Sequence, residues 1–270
     1  MGIDEFEELK KKISKDKNFS CSQYKDPYLK RRFAIRMRAT GTKSYREYMS
    51  LLNTDKEEYP ILLNVLTVNV TEFFRDAPVL EEVKRVMGAM IKGKQEGKKT
   101  FARIWSAGCS NGSEAHTVAI LADQILSSHV DNFKVNIYAT DIDPDSIKAG
   151  REEVYKPDLL KGVNASYMKK YFTEVDGNYQ VVEPIRKMIT FKRNDLINEQ
   201  PLRTMDMILC RNVVIYFSRE LQEKLFMNFY NALNDGGYFI MGKTETLVGP
   251  AKDKFVPINN KERIYQKQAG

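Results

Sequence analysis

The sequence is poor in the two residue types that build most metal centres. Three cysteines and two histidines occur among 270 residues. Cys21, Cys109 and Cys210 are odd in number and share no metal-ligand spacing, and the histidines do not complete a zinc set. We therefore predict no metal site. Because neither Cys109 nor Cys210 has an identifiable base, both are predicted to be small buried core residues and not nucleophiles.

Long apolar runs and phosphate-binding motifs are also missing. No stretch approaches the length of a membrane-spanning helix, and the first ten residues, MGIDEFEELK, are charged, unlike a secretory signal. Phe6 stands where a myristoylation signal needs Ser or Thr. We therefore expect a cytoplasmic protein with no direct membrane insertion. The chain has no Gly-Lys-Ser/Thr after its glycine turn, so a P-loop is not expected.

Positive charge is in excess and unevenly distributed. The formal net charge is +7, which favours an anionic partner: nucleic acid, a membrane surface or an acidic protein. In YLKRRFAIRMRATG, residues 28–41, an apolar line at helical spacing is surrounded by five cations with no acid among them. These cations are Lys30, Arg31, Arg32, Arg36 and Arg38. The pattern fits either a solvated helix face or a surface that docks an anionic partner.

The main functional pattern lies in residues 101–143, FARIWSAGCSNGSEAHTVAILADQILSSHVDNFKVNIYATDID. It is typical of a strand, a glycine turn, a helix and a second strand that ends in an acid. Gly108 and Gly112 permit positive φ and close approach of a ligand, and Asp141 is placed to bind ribose hydroxyls. Such a turn suits S-adenosylmethionine, which has a ribose but no phosphate. A corner that needs glycine for packing alone is the alternative.

The rest of the chain is organised around this unit. Residues 1–93 are predicted to form an all-helical N-terminal domain that ends in a linker, GKQEGKKT. Residues 94–270 are predicted to form a doubly wound, Rossmann-like α/β domain. Within it, about residues 154–193 are predicted to be a small inserted β subdomain, because an Asp176-Gly177 turn precedes the β-favouring runs YQVVEPI and MITFKRND. A strand in MDMILCRNVVIYF, a helix and strands in YFIMG and RIYQKQ follow.

Residues 69–75, NVTEFFR, combine hydrogen-bonding, aromatic and guanidinium side chains. The Asn and Thr oxygens can bind a ligand, and Arg75 can offer two parallel donors to a carboxylate. The alternative is a helix-to-loop junction in which Thr71 is a cap and Arg75 pairs with a neighbouring acid. Phe73 and Phe74 would then be core residues. Composition alone favours the junction.

In their order and spacing, these motifs resemble the chemotaxis receptor methyltransferases (CheR), which esterify glutamate side chains of chemoreceptors using S-adenosylmethionine. The resemblance covers nearly the whole chain. It includes YLKRRFAIRMRATG, NVTEFFR, WSAGCSNGSEA, ATDID, CRNVVIYF and NDGGYFIMGKTE. It implies S-adenosylmethionine as cofactor and glutamate O-methylation in chemotaxis adaptation as the activity.

The resemblance also implies roles for individual residues. Arg75 would bind the methionyl carboxylate of the cofactor, Glu114 its α-ammonium group and Asp141 its ribose diol. Asp195 and Leu196 would flank the adenine. The full cofactor-binding set is Asn69, Thr71, Arg75, Gly108, Glu114, Asp141, Asp195, Leu196 and Asn212. The residues implied to face the methyl group and the incoming glutamate are Arg211 and Tyr216, and those implied to bind the receptor are Arg31, Arg32, Arg36 and Arg38.

Some positions depart from the family pattern. The family commonly has Ser-Thr-Gly-Glu-Glu-Pro-Tyr-Ser where this chain has SNGSEAHT, residues 110–117, so the first acid of the pair is lost. Asp195 replaces an asparagine, and Lys243 stands where histidine is frequent. These changes bear on cofactor affinity more than on reaction type. Because the hairpin around Asp176-Gly177 is short, we expect an enzyme that does not tether to a receptor's C-terminal pentapeptide.

Elementary chemistry agrees with this hypothesis and leaves two alternatives. A glutamate carboxylate is ionised at neutral pH, so its attack on an activated methyl group needs orientation, desolvation and a cation, not a general base. A methyltransferase acting on nucleic acid is motivated by the positive charge, but the Asn/Asp-Pro-Pro-aromatic type of motif is missing, so no nucleic-acid partner is expected. A non-catalytic regulator that binds cofactor or receptor is supported by the altered turn alone. We expect a monomer whose partners are the cytoplasmic methylation helices of chemoreceptors.

Overall fold

The computed structural model describes residues 4–67, 71–129 and 132–268. The described chain is mixed α/β and forms two compact units. The first is helical and comprises the residues up to 69 together with residues 216–222. The second comprises residues 70–215 and the residues from 223 onward, and it contains all of the described strands. The predicted fold class, a helical domain plus a Rossmann-like α/β domain, is confirmed.

Eleven helices and ten strands are assigned within the described residues. The helices are α1 Glu5–Lys17, α2 Asp26–Thr40, α3 Tyr45–Thr54, α4 Glu58–Leu66, α5 Ala77–Glu96, α6 Ser113–His129, α7 Pro144–Glu152, α8 Ala165–Tyr171, α9 Glu183–Arg186, α10 Arg219–Ala232 and α11 Ala251–Lys254. The strands are β1 Phe101–Ala107, β2 Lys134–Asp141, β3 Val154–Tyr155, β4 Phe172–Val175, β5 Asn178–Val181, β6 Ile189–Arg193, β7 Met205–Cys210, β8 Leu233–Met241, β9 Phe255–Asn259 and β10 Ile264–Lys267. Among these helices, none combines the length and the apolar character that crossing a bilayer requires.

Side chains at the helix ends explain where the helices of the first unit begin and end. Asp4 accepts a hydrogen bond from the amide of Phe6 at the start of α1 (3.0 Å), and Ser44 accepts one from the amide of Glu47 in α3 (3.2 Å). Each bond satisfies an amide that has no partner within its helix. Gly41 ends α2 with φ of 72°, a left-handed conformation that glycine adopts without strain.

The helical unit has an apolar core of its own. Its buried side chains come from all four N-terminal helices, and each contributes about 1.5–3 kcal/mol by leaving water. They include Phe6, Leu9, Ile13, Leu29, Phe33, Tyr48, Leu52 and Leu62. Residues 216–222 join this unit through the backbone: the amide of Lys25 donates to the carbonyl of Tyr216 (3.0 Å), and the amide of Ser218 donates to the carbonyl of Gln23 (2.8 Å).

The second unit is built on a seven-stranded sheet with the order β6-β2-β1-β7-β8-β10-β9. The first five strands in this order are parallel, whereas β10 runs antiparallel to both β8 and β9. The order of the strands reverses between β1 and β7. In open α/β sheets, ligands bind outside the carboxyl ends of the strands at such a switch point. The loops after β1, β2, β6 and β7 are therefore where a site is expected.

Helices cover both faces of this sheet. The apolar stripes of α5 and α6 pack with Ala102 and Ile104 of β1 in one buried cluster. Trp105 points to the opposite face, because successive residues of a strand alternate. There its ring lies 5.5 Å from that of Phe229 in α10.

Three elements differ from the sequence prediction. Because α5 buries its apolar stripe in the second unit, the structure divides the chain near residue 69 and not at residues 93–94. The MITFKRND run forms β6, which pairs with β2 in the main sheet, so it lies outside the inserted subdomain, whose own sheet has the order β3-β5-β4. The sequence does not predict β9. This strand contains Pro257, and the proline is tolerated because β9 lies at the edge of the sheet.

Candidate active site

The turn that follows β1 is shaped by left-handed backbone conformations. Gly108 and Gly112 have φ of 77° and 88°, and Ser110 between them has φ of 49°. The amide of Gly108 donates to the carbonyl of Thr140 at the end of β2 (2.8 Å). A Cβ at Gly108 would lie 2.5 Å from the side chain of Val213, in the loop after β7. This glycine is therefore required both by its backbone conformation and by the contact of two loops at the carboxyl edge of the sheet.

Asp141 is the last residue of β2 and is held in one orientation. Its Oδ2 accepts from the amide of Ser110 (2.8 Å), and its Oδ1 accepts from the amide of Asp143 (3.0 Å). Burial raises the pKa of Asp141, and the backbone hydrogen bonds act against that rise. Each carboxylate oxygen can accept more than one hydrogen bond. The oriented carboxylate is thus suited to accept from the hydroxyls of a ribose.

Arg211 directly follows β7 and is buried between two carboxylates. Its Nη2 donates to Oδ2 of Asp76 (2.7 Å) and to the carbonyl of Arg75 (3.3 Å), and its Nη1 donates to Oε2 of Glu114 (3.2 Å). Glu114 is itself oriented by the hydroxyl of Ser106, which donates to Oε1 (2.8 Å). The Nε of Arg211 is buried and has no hydrogen-bond partner within residues 4–67, 71–129 and 132–268. Such a donor can be satisfied by an acceptor on a ligand.

The aromatic pair of the NVTEFFR motif anchors that segment to the second unit. The ring of Phe73 is fully buried, with its centroid 4.8 Å from that of Tyr155 and 5.2 Å from that of Phe172. The amide of Phe74 donates to the hydroxyl of Thr117 (3.2 Å). Phe73 thus has the core role that the junction hypothesis assigned to it.

The polar residues of the same motif are the predicted cofactor contacts. Thr71 and Arg75 are half-buried, and Asn69 lies outside the described residues. The carbonyl of Arg75 and the carboxylate of Asp76 both accept hydrogen bonds from Arg211. The backbone of Arg75 therefore contacts Arg211, the residue that the sequence predicts at the reacting centre.

Asp195 follows β6 and uses its carboxylate to close its own turn. The Oδ1 accepts from the backbone amide two residues later (2.8 Å), and the Oδ2 accepts from the side-chain amide of Asn198 (2.8 Å). The negative charge that replaces the family's asparagine is therefore offset by local donors. The amide of Asn194 donates to the carbonyl of Asp141 (3.0 Å). This bond brings the predicted adenine-flanking pair, Asp195 and Leu196, close along the backbone to the predicted ribose-binding acid.

The loop after β7 is held by a residue that the sequence interpretation missed. Glu245 is 2% exposed; its Oε1 accepts from the amides of Val213 (3.0 Å) and Val214 (3.1 Å), and its Oε2 accepts from the amide of Gly242 (2.6 Å). In the same loop Asn212, a predicted cofactor contact, has φ of 61°. An acid three residues after the glycine that follows β8 is the sequence signal that points to Glu245.

Tyr216, the second predicted catalytic residue, belongs to the helical unit, whereas Arg211 belongs to the second unit. The ring of Tyr216 lies 4.6 Å from that of Tyr28 in α2. The neighbouring Phe217 contacts the ring of Tyr24 edge-on at 5.1 Å. Within its own unit, Tyr216 therefore lies against the basic helix.

The four predicted receptor-binding arginines of α2 have different surroundings. Arg31 and Arg38 are exposed, and Arg32 lies over a tyrosine ring at 5.3 Å. Arg36 instead donates through Nε and Nη2 to both carboxylate oxygens of Glu58 in α4 (2.9 and 2.7 Å). The structure therefore corrects the prediction for Arg36: an acid from another helix neutralises its charge, so it acts in the fold and is not a free docking cation.

The remaining reactive side chains have structural surroundings. Cys21, Cys109 and Cys210 are free and buried, which confirms the prediction that Cys109 and Cys210 are core residues. Burial raises the pKa of each of the three thiols, to about 11 for Cys21. His116 is fully buried, and its Nδ1 lies 2.9 Å from the carbonyl oxygen of Gly112. Across residues 4–67, 71–129 and 132–268, no group of His, Cys, Asp and Glu is arranged to hold a metal ion.

Comparisons with known proteins match both parts of the chain. A family model described as CheR methyltransferase, SAM binding domain, matches residues 69–264, and one described as CheR methyltransferase, all-alpha domain, matches residues 4–67. The chemotaxis protein methyltransferase of Borreliella burgdorferi is 29% identical over 252 residues, which cover 91% of this chain and 89% of that protein. That of Listeria innocua is 27% identical over 249 residues, which cover 92% of each chain.

A longer relative matches to a similar degree. An uncharacterised 104.1 kDa protein of Rhodobacter capsulatus is 30% identical over 244 residues, and this chain spans 25% of its length. The two matched family domains meet at residues 67–69, where the structure divides the chain, and the strand-end acid, the glycine turn and the buried arginine all lie in the SAM-binding part. By these matches and this arrangement, the chain belongs to the CheR methyltransferase family.

Proposed function

We propose that this protein catalyses the S-adenosylmethionine-dependent O-methylation of glutamate side chains on chemoreceptors, which yields glutamate methyl esters in chemotaxis adaptation. The observation that carries the proposal is the convergence of three features at the carboxyl edge of one parallel sheet. These are the turn at Gly108, the oriented carboxylate of Asp141 and the buried guanidinium of Arg211. They occur in a chain of a methyltransferase family, as the matched SAM-binding domain indicates.

The residues at this edge fit the cofactor. Among the residues that the structure describes, three buried polar atoms at this edge have no hydrogen-bond partner, and each lies on a different loop: Oγ of Ser110 after β1, Oδ1 of Asn194 after β6 and Nε of Arg211 after β7. Buried polar groups are normally satisfied, so a cofactor that reaches the loops after β1 and β6 would complete the first two atoms, and the acceptor carboxylate would complete the Nε of Arg211. Asp141 would accept from the ribose hydroxyls, Glu114 would bind the α-ammonium group, and the unpaired atoms offer further polar contacts.

The chain's own task is to position the acceptor. S-adenosylmethionine supplies a methyl group activated by a sulfonium. The acceptor carboxylate is ionised at neutral pH, so no residue has to remove a proton. The protein must bind this carboxylate, orient it and exclude water from it.

Arg211 is suited to hold the acceptor without trapping it. A free cation would stabilise the ionised carboxylate more than the transition state, in which the carboxylate charge decreases. Asp76 and Glu114 already offset the charge of Arg211, at 2.7 and 3.2 Å. The guanidinium can then orient the acceptor through hydrogen bonds while the net attraction stays moderate.

The exposed face of α2 is proposed to dock the acidic methylation helices of the receptor. Arg31 and Arg38 are exposed on this face, and Ile35 between them is 40% exposed. Residues spaced three and four apart share one helix face, so the two cations flank an apolar side chain. This arrangement supports docking of an amphipathic helix with acidic flanks. In this proposal the enzyme works as a cytoplasmic monomer, without a pentapeptide tether.

The proposal is tested by incubating the purified protein with methyl-labelled S-adenosylmethionine and membranes that carry candidate receptors. Mass spectrometry of receptor peptides is expected to find the added methyl group on glutamates of the methylation helices. Label in added RNA or DNA, with none in receptor, would favour the nucleic-acid alternative. Cofactor binding with no transfer to any receptor of the source organism would favour the non-catalytic regulator.

Docking is tested separately by removing exposed positive charges. Replacing Arg31 and Arg38 with Ala should raise the KM for receptor and weaken its dependence on salt, because exposed cations attract an anionic partner through a screened field. Arg85→Ala is the control, since Arg85 is also exposed but lies on α5 in the second unit. Equal effects of the two changes would contradict the assignment of α2 as the docking surface.

A further inference from the structure

Glu245 is a buried carboxylate that is bound by backbone amides. The amides of Val213, Val214 and Gly242 donate hydrogen bonds to it. A backbone hydrogen bond from Asn212 also favours its ionised form. Burying a carboxylate away from water is strongly unfavourable unless hydrogen-bond donors surround it. Consecutive amides that converge on one anion form such a surrounding. The carboxylate therefore fixes the backbone of residues 212–214 together with the turn after β8.

The backbone that Glu245 fixes is the one that the proposed chemistry uses. Asn212 has φ of 61°, in the left-handed region that asparagine visits as a single residue when local hydrogen bonds support it. A Cβ at Gly242 would lie 2.9 Å from the amide nitrogen of Asn212, so the two loops are in close contact. Val213 of this loop also packs against Gly108. Arg211 directly precedes the loop in sequence.

We propose that Glu245 is a positioning residue for methyl transfer: by holding the loop of residues 212–214, it fixes where Arg211 presents its guanidinium to the acceptor. Glu245 touches neither cofactor nor acceptor in this scheme. The inference rests on the proposed function, because it assigns Glu245 a part in that same reaction. It predicts that loss of the carboxylate affects turnover more than cofactor affinity.

The reason for this split is that most of the predicted cofactor residues have support of their own; Asn212, which lies in the loop that Glu245 holds, is the exception. The turn at Gly108 is bonded to the carbonyl of Thr140, and Asp141 is bonded to the amide of Ser110. Neither contact involves Glu245. Arg211, in contrast, is adjacent in sequence to the loop that Glu245 holds.

The test compares Glu245→Gln with a matched control, Asp206→Asn. Asp206 is also a buried carboxylate that accepts a backbone amide, that of Arg103 (2.8 Å), together with Lys94 and Asn234. It lies in β7, near the strand's amino end and away from the carboxyl edge. Both changes are expected to lower stability, but only the change at Glu245 alters the loop that follows β7.

In Glu245→Gln, one oxygen becomes an amide group that faces N–H donors, so the loop must shift. Because a misplacement of about 1 Å can cost about 100-fold in rate, we expect kcat on receptor to fall by about that factor. Calorimetry should find the Kd for S-adenosylmethionine within severalfold of the wild type. Asp206→Asn should keep the wild-type kcat per folded molecule.

The pH profile of the wild-type enzyme adds a readout that a structural role alone would not move. Burial raises the pKa of Glu245, against the effect of its amide donors. At saturating cofactor, kcat should therefore begin to fall on acidification at a higher pH than that at which the substrate glutamate protonates, near its ordinary pKa of about 4.3. Glu245→Gln should lack this decrease. The pKa of Asp141 is also raised, but its protonation should weaken cofactor binding, and saturating cofactor keeps that effect out of kcat.

Each outcome decides the matter. Parallel loss of kcat in both variants, in proportion to stability, would overturn the positioning role. If Glu245→Gln neither folds nor binds cofactor, the pH profile of the wild-type enzyme is the test. A wild-type kcat that stays constant down to the pH at which the substrate glutamate protonates would overturn the positioning role. A wild-type protein that transfers no methyl group would contradict the proposed function itself, which separates that failure from failure of this inference.

Discussion

Arg36 tests most directly whether the arginines of α2 have different roles, some in the fold and others in docking. Its guanidinium binds both carboxylate oxygens of Glu58, and the hydroxyl of Tyr48 donates to the same carboxylate (2.6 Å). The side chain of Glu58 is 3% exposed and that of Arg36 is 15% exposed. We predict that Arg36→Ala destabilises the helical unit, whereas Arg38→Ala does not.

The expected magnitude follows from what remains in the mutant. With Arg36 removed, Glu58 is a buried anion with one neutral donor, Tyr48, beside it. Breaking a buried pair from one side costs about 3–5 kcal/mol, and the residual exposure of Arg36 places the expected value near the lower end. Exposed Arg38 should give a change within about 0.5 kcal/mol of zero.

The pH dependence of the difference is also fixed in sign. Burial acts to raise the pKa of Glu58, but the hydrogen bonds from Arg36 and Tyr48 together lower it by more than burial raises it. The folded-state pKa therefore lies below its ordinary value. The ion pair therefore contributes stability that is present above the unfolded pKa and is lost as pH falls through the folded pKa. The difference between wild type and Arg36→Ala should shrink in acid.

Urea unfolding followed by far-ultraviolet circular dichroism measures these free energies, and receptor methylation per folded molecule measures docking. Arg36→Ala should lose stability but keep the receptor KM of the wild type. Equal stability of the Arg36 and Arg38 variants, or a stability difference that does not change with pH, would refute the reasoning.

Further predictions concern the second unit. Arg211→Ala should lower kcat by roughly 100-fold, as loss of one electrostatic contact to reacting atoms typically does, while the Kd for S-adenosylmethionine changes little; a large loss of cofactor affinity would refute the assignment. The Kd for S-adenosylmethionine should rise as pH falls through the raised pKa of Asp141, because the protonated acid accepts fewer hydrogen bonds, and calorimetry across pH would detect a flat profile if this is wrong. Cys21, Cys109 and Cys210 should resist a thiol reagent in the native protein and react on unfolding, because they are buried and their pKa values are raised; stoichiometric labelling of native protein would contradict this.

Local patterns predicted the parts of the fold that depend on neighbours in sequence. The strand, turn, helix and strand of residues 101–141 have glycines and apolar periodicities that act within a few residues, and Asp141 lies at the end of β2 as predicted. The end of α2 at Gly41 follows from the same kind of signal.

Pairing between distant segments explains what the sequence could not supply. Arg36 and Glu58 are 22 residues apart on different helices, so the five cations of α2 seemed unpaired from local sequence. The MITFKRND strand fits a hairpin or a parallel edge equally well by composition, and only its register with β2 decides. Glu245 reaches a loop about 30 residues earlier, across two neighbouring strands.

The most direct test of the account is the chemistry of the product. Receptor labelled by the purified protein and methyl-labelled S-adenosylmethionine would be treated with mild alkali, and the released volatile label would be counted. A glutamate methyl ester releases its label as methanol, which is the result that the account predicts. Alkali-stable label would indicate an N-methyl product and contradict it.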